Sequence, residues 1–184
     1  MALGVKINLD SLESLIDFSE AYPNQTVSVR INPGVKAGGN ENISVGHLDS
    51  KFGITEDSLD KIVKMDKEKK IKVTALHVHT GSDIIENNHF DLGIRKIFSI
   101  AHKFKNIETI DLGGGIKIPY FFGDTETDLT RYAEVINEEV EKFKLKKGKD
   151  LKLIFEPGKF LVSDSGYFIT KVNYLKKSSK NTFV

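Results

Sequence analysis

Four short clusters of polar and glycine residues hold most of the groups in this sequence that could do chemistry. They are Asn32-Pro33-Gly34, residues 79–82, Gly113-Gly114-Gly115 and Glu156-Pro157-Gly158, and each follows an apolar run. Glycine destabilises strands and helices, so three in succession predict a backbone that turns tightly and approaches another group closely. Successive unhindered N–H groups can form a concave anion site, and phosphate is a common ligand there. A flexible loop is the alternative interpretation.

Titratable side chains lie in or beside these clusters. His77 and His79 are two residues apart on a predicted strand and therefore share one face. They are either a metal-binding pair or one packed residue and one pocket residue. We predict no metal, because no cysteine, later histidine or clear acidic cluster completes a site. Ser82 either binds phosphate or closes a turn, and Glu156 is either a solvated strand end or a catalytic carboxylate.

The apolar pattern alternates between strand and helix periods along the chain. Strands are predicted over residues 5–8, 27–31, 73–79, 107–112, 151–155 and, last, 166–175. Strict alternation with helices predicts parallel strands and an α/β fold. A β/α barrel and an open doubly wound sheet would both bring the four clusters to one edge, and periodicity does not separate them. Arg30 and Lys51 adjoin that edge, either as ligand-binding cations or as surface charges.

Composition excludes several classes of function. The 184 residues include 27 basic and 26 acidic side chains, a formal net charge of +1, so no overall field attracts nucleic acid or a membrane surface. No apolar run approaches the roughly 20 residues of a membrane span, and no signal-peptide pattern is visible. The absence of cysteine excludes disulfides and thiol chemistry and is typical of a reducing cytoplasm.

The clusters combine into a larger pattern that resembles a known family. In chain order the sequence contains Arg30-Ile-Asn-Pro-Gly-Val35, Ile43-Ser-Val-Gly46, Ser50-Lys-Phe-Gly-Ile54, His77-Val-His-Thr-Gly-Ser-Asp-Ile84, Asp111-Leu-Gly-Gly-Gly-Ile-Lys-Ile-Pro-Tyr120 and Glu156-Pro-Gly-Lys159. This series resembles the diaminopimelate decarboxylases, which are fold-type III pyridoxal-phosphate enzymes together with ornithine decarboxylase and, more distantly, alanine racemase. The resemblance covers nearly the whole chain, and its first and third motifs favour the diaminopimelate branch.

The resemblance implies a fold and its limits. It implies a partial (β/α)8 TIM-type barrel of the alanine racemase-like fold, about strands 4–8, over residues 1–165. A complete barrel typically takes about 250 residues. Residues 166–184 would be an outgoing strand that leads to a C-terminal β-domain. On this resemblance the family's Schiff-base lysine, in a Tyr-x-x-Lys setting on the first strand, and its Cys-Glu-Ser-type domain are both absent from this sequence.

The resemblance also implies roles around pyridoxal 5'-phosphate. His79 would stack on the cofactor ring with His77 behind it, and Glu156 would pair with the ring nitrogen. That carboxylate would favour the protonated nitrogen, which makes the ring an electron sink. The other residues implied at the cofactor are Arg30, Ser82, Gly113, Gly114, Gly115, Pro157, Gly158 and Lys159, and those implied on the substrate side are Ser50, Lys51 and Lys159.

Lys159 stands where the family usually has arginine, so the charge is kept but the two-pronged hydrogen-bonding geometry is lost. The implied function is decarboxylation of meso-2,6-diaminopimelate to L-lysine and carbon dioxide, in a full-length homodimer, with this chain inactive by itself. Three alternatives stay open. They are a sibling decarboxylase acting on ornithine, arginine or carboxynorspermidine, a non-catalytic truncated barrel, and a metal hydrolase that uses His77 and His79.

Overall fold

Five parallel strands form one sheet, in the same order as they occur in the chain. The computed structural model describes residues 4–35, 50–82, 84 and 87–184, with only the backbone for residues 87–89. The strands of the sheet are β1 (Asn8–Leu9), β2 (Gln25–Arg30), β3 (Ile71–His77), β4 (Thr109–Asp111) and β5 (Lys152–Ile154). Sequential order with parallel neighbours requires a crossover between each pair of strands, as the alternating pattern predicts.

Helices supply the crossovers and cover one face of the sheet. They are α1 (Leu12–Ala21), α2 (Leu59–Lys67), α3 (Asn87–Ala101) and α4 (Leu129–Lys147); the short α5 (Gly158–Val162) follows the last strand of the sheet. Side chains fix where two of them begin: the Ser11 hydroxyl accepts the N–H of Ser14 at α1, and Asp128 accepts that of Arg131 at α4. Gly148 ends α4 in the left-handed conformation that glycine adopts most readily.

The two faces of the sheet differ in polarity. Val29, Leu76 and Ile110 point toward the helices and are completely buried in the main apolar core. The opposite face carries polar side chains, and it lines a concave pocket of about 530 Å³ that includes Asn8 and Asp111. One face therefore stabilises the fold, and the other offers polar groups to a ligand.

The register of the parallel strands sets which polar residues are neighbours. Arg30 is paired with His77, and His77 is paired with Asp111. Beyond the end of β2, Ile31 forms a parallel bridge with Ile54, which brings the segment that begins at Ser50 to the same edge. The charged residues at the carboxyl ends of the strands consequently form a row.

Three predicted elements differ from the structure or lie outside its described part. The first strand is Asn8–Leu9 and begins later than predicted. The predicted strand over residues 166–175 is wrong, because that segment is exposed and pairs with no sheet; β6 (Lys176–Lys177) and β7 (Thr182–Phe183) instead form a small antiparallel pair. The Ile43-Ser-Val-Gly46 motif lies outside the described residues.

None of the described helices is long and apolar enough to cross a membrane.

Leu76 tests the importance of the apolar face. Its side chain is completely buried in the central strand β3, and Leu145 in α4 is 85% exposed. We expect Leu76→Ala to lower the free energy of unfolding by about 2–5 kcal/mol through lost burial and an unfilled cavity. Urea denaturation followed by circular dichroism measures this. Leu145→Ala is the control and should change little; equal effects of both substitutions would contradict the assignment of the core.

Candidate active site

The candidate site lies at the carboxyl edge of strands β2 to β5. Glu156 lies two residues beyond Ile154, the residue paired with Asp111, and alternate residues of an extended segment face the same side. His79 has the same relation to His77. The structure thereby brings the His77 and His79 pair together with Arg30 and Glu156, which are distant from it in sequence; all four were predicted to share one edge.

His77 is a buried polar group at the centre of this edge. Its side chain is 10% exposed, and its Nε2 lies 3.7 Å from Glu156 Oε2. On the other side of the ring, Nδ1 lies 2.9 Å from the amide nitrogen of Asn8. His77, Asp111 and Glu156 each offer an atom within 4.8 Å of the others. Asp111 and Glu156 thus supply acidic groups beside His77 that were not expected from the sequence, and among the described residues this cluster does not include His79.

Burial decides the charge of both histidines. Removal from water lowers the pKa of His77; Arg30 lowers it further, whereas Asp111 and Glu156 oppose this shift. Burial, Arg30 and His77 likewise lower the pKa of His79. Both imidazoles are therefore neutral at physiological pH, and each has one N–H to donate and one nitrogen that accepts.

The three glycines occupy places that no other residue could take without a shift of backbone. A Cβ atom on Gly114 would lie 2.3 Å from the carbonyl oxygen of Glu156, and one on Gly115 would lie 2.2 Å from that of Gly81. Gly113 and Gly115 also have positive φ angles of 66° and 96°. The loop is therefore pressed against the ends of β3 and β5, as the predicted close approach requires.

Two of the three glycine amides already have acceptors inside the protein. The Gly113 N–H donates to Asp111 Oδ1 at 3.0 Å, and the Gly114 N–H donates to His79 Nδ1 at 3.2 Å. Within the described part of the chain, no acceptor faces the N–H of Gly115. The first two amides thus shape the loop and orient His79, which the prediction of a three-amide anion site did not foresee. Ser82 follows Gly81 and so lies beside Gly115.

Two cations flank one aromatic ring at the end of β2. The Arg30 guanidinium lies 4.9 Å from the centre of the Phe52 ring, and Lys51 Nζ lies 5.1 Å from it. The Ser50 hydroxyl accepts the N–H of Phe52 at 3.2 Å. The N–H of Ile54 donates to the Arg30 carbonyl at 2.8 Å, which holds this segment at the edge. Arg30 and Lys51, which were predicted to adjoin the same edge, both lie against Phe52 in the structure.

Lys159 lies in α5 and faces a second aromatic ring. Its Nζ is 5.6 Å from the centre of the Tyr120 ring, and Lys117 Nζ is 4.9 Å from the same ring. Lys117 also forms a 2.6 Å ion pair with Asp124, which accepts the Tyr120 N–H as well. These contacts fix the loop that follows the glycines and place Tyr120 beside Lys159.

Three residues of this edge were not predicted from the sequence. Asp111 and Tyr120 stand within the glycine motif, and their place in that motif was a usable signal. Asn8 belongs to no motif and is 69 residues from His77. Only the pairing of the strands reveals its contact.

The chain is similar in sequence to a known protein family and to several of its members. A family model described as "Pyridoxal-dependent decarboxylase, pyridoxal binding domain" matches residues 1–163. The chain is similar to a diaminopimelate decarboxylase of Methanothermobacter thermautotrophicus, with 32% identity over 95% of this chain and 42% of the relative. It is also similar to one of Buchnera aphidicola, with 31% identity over 98% of this chain and 43% of the relative. The chain thus spans less than half the length of these relatives.

Solved structures of the same name share the fold. A crystal structure of diaminopimelate decarboxylase matches with a TM-score of 0.82 at 26% identity, over 98% of this chain and 43% of that one. The Helicobacter pylori enzyme complexed with L-lysine matches with a TM-score of 0.76 at 28% identity, over 94% and 44%. These likenesses confirm the predicted partial β/α barrel. With the family match over most of the chain, they show that it belongs to the pyridoxal-dependent decarboxylases, within their pyridoxal-binding domain.

Proposed function

We propose that this chain forms the pyridoxal-phosphate-binding part of a decarboxylase that converts meso-2,6-diaminopimelate to L-lysine and carbon dioxide. One observation carries the proposal. The N–H of Glu156 donates to the carbonyl of Gly113 at 2.7 Å, so a carboxylate and a glycine loop meet at the edge where His79 lies. One pyridoxal phosphate would need these three groups side by side: the glycine loop for its phosphate, His79 for its ring face and Glu156 for its ring nitrogen.

The residues present fit the cofactor. The glycine loop has no Cβ atoms to obstruct a phosphate, and the Gly115 N–H is directed to no described acceptor. The His79 ring is partly exposed, neutral and oriented by the Gly114 amide. The Glu156 side chain is 50% exposed, so its carboxylate is accessible to a ring nitrogen.

Each residue then has a role that its surroundings support. Gly115 and Ser82 bind the phosphate, while Gly113 and Gly114 shape the loop around it. The His79 ring covers one face of the cofactor and excludes water from it. Glu156 keeps the ring nitrogen protonated by charge pairing. When bound, the protonated ring withdraws electrons from the carbon that loses carbon dioxide.

The cations support a substrate that carries carboxylates. Arg30 and Lys51 flank Phe52, and Lys159 faces Tyr120, at opposite ends of the row. We assign Ser50, Lys51 and Lys159 to the substrate side, with Arg30 beside the ring. Pro157 connects Glu156 to Gly158, the first residue of α5, and the Gly158 N–H donates to the Glu156 carbonyl at 2.8 Å. The relatives named diaminopimelate decarboxylase, one of them complexed with L-lysine, support this choice of substrate.

We further propose that the protein acts as a homodimer in the cytoplasm. Large apolar side chains are exposed along the segment after Glu156, among them Phe168, Ile169 and Tyr174. Exposed apolar surface of this extent is typical of a protein interface, and the lack of cysteine suits a reducing compartment. Sedimentation equilibrium would test the dimer, and cell fractionation would test the location.

Substitution of Glu156 tests the cofactor site. We expect the chain to bind pyridoxal phosphate in equilibrium dialysis and Glu156→Gln to weaken that binding about tenfold or more, because a charge-assisted contact is lost. Glu126→Gln, in an exposed loop, is the matched control and should bind normally. A chain that binds no pyridoxal phosphate, or an unchanged affinity for Glu156→Gln, would refute the proposal.

Substitution of Gly114 tests the close backbone approach. We expect Gly114→Ala to lower the melting temperature and abolish cofactor binding, because its Cβ atom would displace the Glu156 carbonyl. Gly166→Ala is the control, since a Cβ atom there has no heavy atom within 4 Å. Differential scanning calorimetry and the same dialysis measure both effects. Normal cofactor binding by Gly114→Ala would show that the loop does not form the site.

Ligand preference tests the proposed substrate class. We expect meso-diaminopimelate and L-lysine to give saturable heats in titration calorimetry of the cofactor-loaded chain, and ornithine to bind at least tenfold more weakly. Lys51→Gln and Lys159→Gln should each reduce the affinity for diaminopimelate, because each removes a cation from the substrate side. Stronger binding of ornithine or arginine would select the sibling activity instead.

A further inference from the structure

A line of three polar side chains crosses the concave face of the sheet. Asn8 lies in β1, His77 in β3 and Glu156 just after β5, so the three residues come from alternate strands of the sheet. Side chains of alternate strands form common layers inside a β/α barrel. Ser28 of the intervening β2 is paired with Asn8 and lines the same concave pocket.

The contact with Asn8 determines which nitrogen of His77 carries the proton. The amide nitrogen of asparagine only donates hydrogen bonds, so Nδ1 of His77, 2.9 Å away, must accept. A neutral imidazole with an accepting Nδ1 carries its proton on Nε2. Burial lowers the pKa of His77 and keeps it neutral, with Asp111 and Glu156 opposing and Arg30 reinforcing that effect.

Within the described part of the chain, Glu156 supplies the only carboxylate oxygen within 4.0 Å of His77 Nε2. Nε2 is buried and has no hydrogen-bond partner among the described residues, and a buried donor without a partner is unfavourable. Glu156 Oε2 lies 3.7 Å away on a half-exposed side chain, whereas the His77 side chain is nine-tenths buried. A small rotation of Glu156 therefore completes the hydrogen bond. The carboxylate of Asp111 lies more than 4.0 Å from the ring nitrogens of His77, and its Oδ1 accepts the Gly113 N–H.

We propose that His77, anchored by Asn8, is a positioning residue that donates its Nε2 proton to Glu156. The donated hydrogen bond occupies one oxygen of the carboxylate and aims the other at the ring nitrogen of the cofactor. This inference rests on the proposed cofactor role of Glu156.

Nitrogen NMR of the whole chain without cofactor tests the arrangement directly. With ¹⁵N-labelled histidine, long-range proton–nitrogen spectra at pH 7.5 should show His77 protonated on Nε2 alone. A chelator is included because His77, Asp111 and Glu156 lie close enough to hold a divalent metal. We expect Glu156→Gln to shift the Nε2 resonance and Asn8→Asp to move the proton to Nδ1 or to charge the ring. Protonation on Nδ1 in the unmodified chain, or no response to Glu156→Gln, overturns the proposal.

Cofactor affinity of two His77 variants separates positioning from mere packing. His77→Leu removes the donor and should weaken binding of pyridoxal phosphate about tenfold. His77→Gln keeps an amide donor at a similar distance and should stay within about threefold of the unmodified chain, with circular dichroism confirming that both variants fold. Unchanged binding by folded His77→Leu, or an equal loss in both variants, overturns the positioning role. If His77→Leu does not fold, Asn8→Leu replaces it, with the same expected loss.

The two measurements also distinguish this inference from the proposed function. A chain that binds no pyridoxal phosphate would refute the cofactor site, and with it any positioning toward the cofactor. The NMR spectra would still show whether His77 donates to Glu156. Normal cofactor binding together with the wrong tautomer would refute the positioning role alone.

Discussion

The close contact between the glycine loop and the end of β5 is the constraint on which the candidate site depends. The Gly113 carbonyl accepts the Glu156 N–H at 2.7 Å, and the Glu156 carbonyl fills the space where a Cβ atom of residue 114 would be. Two backbone segments approach this closely only when one has no side chains. The contact fixes Glu156 relative to the loop that orients His79. The carboxylate of Glu156, the imidazole of His79 and the Gly115 amide are thereby held as one unit.

The concave face holds charged groups that are costly to remove from water, and their arrangement beside one another reduces that desolvation cost. Arg30, His77 and Asp111 are neighbours across three paired strands, with Glu156 completing the row. Burial favours the neutral histidine, which can donate to a carboxylate without adding charge. The opposite face is apolar and covered by helices, so the stability of the fold and the chemistry of the site come from different faces. This separation allows polar residues to occupy positions where they would destabilise an ordinary core.

Much of the site could be predicted from short stretches of sequence. The clusters that end in Ser82, Gly115 and Gly158 all follow strands, and parallel strands place such clusters on one edge. The roles of the individual residues remain proposals. Their closeness to one another, in contrast, is seen directly in the structure. The strand predicted over residues 166–175 failed because its alternating apolar residues have no sheet to pair with in the described chain. Alternating apolar residues indicate that a segment is able to form a strand. They do not show whether a neighbouring strand is present to pair with it.

The sequence by itself determined the order of elements, the parallel sheet, the family resemblance and the close approach of the glycine loop, because each depends on residues near one another in the chain. Only the tertiary structure decided that Asn8 reaches His77, that the Gly113 and Gly114 amides are used internally, and that His77 faces Glu156. Those contacts depend on strand register and on the curvature that brings alternate strands together. Register and curvature cannot be predicted from a short stretch of sequence, because both arise from how whole strands pair and pack.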